Sequence, residues 1–145
     1  MKIQFMRIKI ICCILSMTIL SLSVTAQQKK KKEKCLFYPV VVEFRSVCCG
    51  VPSDKPLQQF INTFKKQNRI VKINADKIAP MGKEGEYYLA FTLKEMNRKQ
   101  KFLFRNNLKN ITAKMNDKGN ASVEENMNIF KSELPRNVKI SKVGW

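Results

Sequence analysis

Adjacent cysteines, Cys48 and Cys49, stand in the stretch SVCCGVPSD at residues 46–54, between an apolar run and a helix start. Such a pair has three uses. As thiolates the two sulfurs bind soft ions such as monovalent copper, and a thioether such as that of Met81 can complete the set. With a depressed pKa a thiol exchanges with disulfides; a helix opening at Asp54 and the cation of Lys83 would favour that. Without such chemistry, one of the two is buried as a small apolar side chain and the other is exposed. Little other chemistry is written in the chain. It has no histidine, which excludes a Cys–His nucleophile. It has neither a C-x-x-C redox motif nor a Gly-rich phosphate loop after a strand. Glu84 and Glu86 lie two apart, and with no second polar cluster they read as a solvated hairpin end rather than an acid–base dyad. The residue types therefore point to a binding protein that is not an enzyme, with Cys48, Cys49 and Met81 as candidate metal ligands.

Hydrophobic spacing predicts the elements that position these side chains. Val40, Val42 and Phe44 alternate with Val41, Glu43 and Arg45, a strand over residues 36–47 with one buried face. After the cysteine turn Asp54 is a good N-cap, Pro56 suits a first helical turn, and Leu57, Phe60, Ile61 and Phe64 carry a helix to about Gln67. A second strand is expected over 70–78, with Val71, Ile73 and Ala75 on one face, then a turn over 79–86. Tyr87, Leu89, Phe91 and Leu93 alternate as a third strand. Phe104, Leu108, Ile111 and Met115 mark a second helix over 94–115. Ser122 and Glu125 match a capping box, and Val123, Met127, Phe130 and Leu134 follow at helical spacing, so a short extra helix is expected before Pro135. Phe102 and Leu103, off the main stripe of the second helix, are expected to pack beneath it. A final strand falls at about 137–143.

With the extra short helix set aside, this order is βαββαβ, the split-βαβ, ferredoxin-like plan: an α+β domain with an antiparallel sheet, first and third strands adjacent and helices on one face. That topology brings the end of the first strand to the turn between the second and third. Residues 48–54 and 79–86 become neighbours, and Cys48, Cys49 and Met81 can converge.

A thiol pair in the turn between first strand and first helix of a βαββαβ domain is similar to the heavy-metal-associated domains of copper and mercury carriers, and the resemblance implies a soft-metal site. Those domains carry M-x-C-x-x-C, whereas VCCG here has no residue between its cysteines. The longer run from EFRSVCCGVPSDKPLQQFI through GKEGEYYLAFTLKEMN resembles small exported proteins of Bacteroidetes-type bacteria. That resemblance implies a periplasmic or outer-surface location and no particular activity.

The N-terminus agrees with export. Lys2, Arg7 and Lys9 precede an apolar stretch over 10–22, and VTA at residues 24–26 suits signal peptidase. The alternative is a retained anchor, although the apolar stretch is short against the about 20 residues of a span. Beyond residues 1–26 comes a polar, basic lead-in over 27–35, then one domain over 36–145. The chain's formal net charge is +17, and losing the signal lowers it to +14. So much positive charge favours anionic envelope polymers or a membrane surface, with no signature of specific nucleic-acid binding. Three cysteines remain after cleavage, an odd number for an oxidising compartment. An extended strand would separate Cys35 from Cys48 by roughly 43 Å, against the about 7 Å a disulfide allows. Cys35 is therefore expected either free or linking two chains as a dimer. Two functions follow: a binding module for a soft metal or thiol partner, and a cationic protein held to anionic surfaces.

Overall fold

The structure, a computed structural model, describes residues 35–145; the expected export signal and the expected lead-in up to Lys34 lie outside the described residues. Seven elements follow in order: β1 (Cys35–Ser46), α1 (Lys55–Gln67), β2 (Asn74–Ala79), β3 (Tyr87–Phe91), α2 (Arg98–Thr112), β4 (Gly119–Phe130) and β5 (Lys139–Gly144). The five strands form one open sheet in the order β4-β1-β3-β2-β5, antiparallel throughout. The fold is α+β, and its sheet has one strand more than a four-stranded βαββαβ order provides.

Both helices pack on one face of that sheet. Leu57, Ile61 and Phe64 of α1 and Phe104 and Leu108 of α2 meet Val40, Val42, Phe44, Leu89 and Phe91 in one core. Their three- and four-residue spacing turns each set toward the sheet. Phe104 lies at the centre, with ring centroids 5.2–5.4 Å from Phe60, Phe64 and Phe91. Each such buried side chain contributes about 1.5–3 kcal/mol. β4 and β5 occupy opposite edges, so the chain between them must cross the sheet. It crosses the helix-free face, where Leu134 and Val138 cover Tyr38, Val41, Ile78, Ala90 and Ile129. β1 is buried on both sides from Val40 to Phe44, including the carboxylate-bearing Glu43, which is paired with Arg45. Alternation alone predicted one buried face.

The largest departure from the sequence reading lies at residues 122–134. No helix forms there; Gly119–Phe130 is β4, paired along β1 from Cys35↔Phe130 to Ser46↔Gly119. Tertiary pairing overrides the local helical spacing, because β1 would otherwise expose a twelve-residue edge of unpaired amides. β2 begins only at Asn74; Val71 is 94% exposed, while Ile70 and Ile73 are buried from a loop that turns at Arg69, φ +52°. Helix α2 starts later than expected, at a reciprocal cap. The side chain of Asn97 accepts from the Gln100 amide, and Gln100 accepts from the Asn97 amide, both at 2.9 Å. Cys35 belongs to β1 rather than to the lead-in.

One irregularity reorganises the sheet. Between the pairs Tyr38↔Met127 and Val40↔Glu125, Pro39 faces Asn126, which has a φ of +57°. Proline has no amide to give to the ladder, and asparagine tolerates the left-handed region. Both strands change phase there. Val40, Val42, Ala121 and Val123 belong to the helix-side core, while Leu36, Tyr38, Met127 and Ile129 belong to the helix-free side.

Candidate functional site

The end of β1 and the β2–β3 turn do meet, as the topology requires. Ser46 Oγ donates to Glu84 Oε2 at 3.5 Å, and Phe44 pairs with Tyr87. The chain after α2 arrives at the same end: Ser46 pairs with Gly119, and a Cβ on Gly119 would collide with the Arg45 carbonyl oxygen. Within this end the Cys49 thiol donates to Cys48 Sγ at 2.9 Å, and both side chains are exposed. Met81 has different neighbours. It packs with the helix-free cluster and lines two small hollows there, beside Tyr88, Met127 and Leu134 in one and Pro135 and Asn137 in the other. The structure thus brings the two thiols together and packs Met81 against the helix-free cluster. Among the described residues no group of three or more Cys, Asp or Glu side chains is arranged to hold a metal ion.

The electrostatics of the turn also differ from expectation. The hydrogen bond from Cys49, aided by desolvation and by the carboxylate of Glu84, pushes the Cys48 thiol above its ordinary pKa. Asp54 occupies the N-cap position of α1 but makes no cap; its Oδ2 accepts from the Tyr87 hydroxyl at 3.3 Å. The side chains that reach Cys48 therefore favour its thiol over its thiolate. Cys35, Cys48 and Cys49 are all free, with Cys35 at the far end of β1.

A second group of polar residues gathers at that far end. Phe37, Tyr38, Pro39, Asp76, Lys94 and Lys101 are among the residues lining a cleft of about 450 Å³. The phase change at Pro39 is what turns Tyr38 inward. Its hydroxyl donates to Asp76 Oδ2 at 2.6 Å, and Lys142 Nζ binds Asp76 Oδ1 at 2.6 Å. Burial first, then Asp76, pushes the Tyr38 phenol well above its usual pKa. The sequence signal for this site was a proline inside an otherwise strand-like run.

Beside the cleft, α2 carries Arg98, Lys99, Lys101, Arg105 and Lys109 and no acidic residue. Glu125 of β4 holds Arg105 at 3.1 Å and Lys109 at 2.6 Å, and the Lys109 hydrogen bond lowers its carboxyl pKa. Arg98, Lys99 and Lys101 have no carboxylate partner within 4.0 Å among the described residues. Between them Phe102 is 59% exposed and Leu103 39%. The extra helix expected to cover both is absent, and β4, which replaces it, turns Val123 toward the sheet core instead. Among the described residues no helix is long and apolar enough to cross a membrane. Comparison with protein-family models, with curated proteins and with solved structures finds no match to this chain.

Proposed function

We propose that this domain, which we read as a ferredoxin-like βαββαβ plan extended by an edge strand, is an exported, non-enzymatic module that docks on anionic membrane surfaces. The observation that carries the reading is α2, where Phe102 and Leu103 are exposed and Arg98 and Lys99 have no carboxylate within 4.0 Å among the described residues. A cationic helix with apolar residues on its polar side lies in the headgroup plane, with the rings inserted and the charges on lipid phosphates. The net charge, +17 for the whole chain and +14 without residues 1–26, adds long-range attraction. The periplasmic or outer-surface location expected from residues 1–26 would place the domain beside such a surface.

Protein purified from its native compartment, sedimented with phosphatidylglycerol or phosphatidylcholine vesicles, tests the proposal. Preferential binding to the anionic vesicles, weakening steeply with salt, is expected. Phe102→Ser with Leu103→Ser should weaken that binding on the order of tenfold, given the apolar area each exposes. Equal binding to both vesicles, or indifference to the double substitution, would overturn it.

A second reading keeps the thiol end as a soft-ion or thiol-partner site, and the 2.9 Å approach of Cys48 and Cys49 favours it. Salt separates the two, because thiolate coordination does not weaken with ionic strength as many exposed charges do.

A further inference from the structure

We infer that the cleft beside the start of β1 binds the phosphate of an anionic lipid headgroup between Lys94 and Lys101, an inference that rests on the membrane-docking reading. Both lysines line the cleft, and neither has a carboxylate within 4.0 Å among the described residues. Lys101 is only partly exposed. An anion in the cleft would supply the counter-charge that both ammonium groups lack, through charge-assisted hydrogen bonds. Asp76 is the one acidic residue of the lining, and its charge is already met by Lys142 and by the Tyr38 hydroxyl, each at 2.6 Å. Counting Lys142, the cleft and its floor carry a net charge of +2.

The walls suit the rest of a lipid headgroup. Leu36, Phe37 and Pro39 line the same cleft, and Phe37 is 58% exposed. A volume of about 450 Å³ lies within the roughly 300–1,000 Å³ of small-molecule sites. The cleft and the exposed apolar residues draw on the same end of α2: Lys101 lines the one, and Phe102, the next residue, belongs to the other.

The test uses the protein from its native compartment and dihexanoyl-phosphatidylglycerol kept below its micelle concentration. Dihexanoyl-phosphatidylcholine and inorganic phosphate serve as comparisons. Backbone amide NMR should show saturable shifts at Phe37, Tyr38, Thr92, Lys94 and Lys101 with the phosphatidylglycerol. Lys94→Gln with Lys101→Gln should weaken binding at least tenfold, with an unfolding midpoint equal to that of the parent. Phe102→Ser with Leu103→Ser should leave this soluble binding intact. No saturable shift in the parent, or less than a twofold loss in the double lysine variant, would overturn the inference. Inorganic phosphate binding as tightly as the lipid would replace the headgroup with free phosphate as the ligand and so also overturn it. Retained short-chain binding with no preference for anionic vesicles would overturn the docking reading while leaving the cleft site standing.

Discussion

Removing one oxygen atom from Tyr38 tests how the floor of the cleft is built. Tyr38 and Asp76 are 3% and 6% exposed, and the phenol donates to Asp76 Oδ2 at 2.6 Å. Lys142, the carboxylate's other partner, has a side chain that is 83% exposed. A hydrogen bond to a charged acceptor contributes about 1.5–3 kcal/mol, and leaving a buried carboxylate oxygen without a donor adds its own desolvation cost. Tyr38→Phe keeps the ring, so no cavity opens. The expected loss is about 2 kcal/mol, which for a domain of this size lowers the thermal midpoint by roughly 8–12 °C. Lys142→Met, removing only an exposed ion-pair partner, should cost no more than about 1 kcal/mol. Urea unfolding followed by circular dichroism reads both. In an Asp76→Asn background the Tyr38→Phe loss should shrink, because the acceptor is then neutral. A loss below about 0.5 kcal/mol for Tyr38→Phe, or the same loss in both backgrounds, would refute the assignment of that hydroxyl as the buried partner of Asp76.

The chain has three tyrosines, and burial raises all three phenols above their usual pKa, with Asp76, Asp54 and Glu43 adding to the effect at Tyr38, Tyr87 and Tyr88 respectively. A folded pKa above the unfolded value of about 10 means stability that is whole below pH 10 and is lost as pH rises toward the folded values; absorbance at 295 nm should therefore stay flat through pH 10 and rise only with unfolding, whereas one tyrosine ionising near 10 in the folded protein would refute the burial argument. At the other end of β1, the raised pKa of Cys48 predicts slow alkylation at pH 7 despite full exposure, quickening toward pH 9 and after Glu84→Gln. Peptide mass spectrometry after timed iodoacetamide pulses reads the rate, and rapid modification of Cys48 at pH 7 would restore an activated thiol.

What could be read from the sequence was whatever a single buried face dictates. The stripe of Leu57, Ile61 and Phe64 gives α1, and the alternation of Tyr87, Leu89 and Phe91 gives β3, because each element meets one core. Residues 121–134 misled for a physical reason. Ala121 and Val123 face one side of the sheet and Met127 and Ile129 the other, with the break at Asn126. A strand that changes phase in its middle spaces Val123 and Met127 four apart, as a helix does. The buried state of Glu43 was equally hidden, since alternation gave β1 one buried face and Glu43 falls on the other. By contrast, the cap formed by Asn97 and Gln100 was legible from its spacing alone and would have placed the start of α2 correctly.

The exchange of a helix for β4 matters beyond the fold, because it decides what the two ends of β1 can do. With a covering helix, Phe102 and Leu103 would have been core, and the thiols would have been the most distinctive exposed chemistry. With a strand instead, the uncovered apolar residues lie on α2, whose first turn contributes Lys101 to the cleft at the Cys35 end of β1. The thiols lie past the Ser46 end, a strand length of roughly 40 Å away at about 3.3 Å per residue. Thiol and membrane chemistry are therefore separable on this molecule. A domain docked by its cleft and α2 would hold Cys48 and Cys49 well clear of the headgroups. A soft ion or thiol partner could then reach them without competing for the lysines, so loss of the thiol pair by Cys48→Ser and Cys49→Ser should leave vesicle binding unchanged.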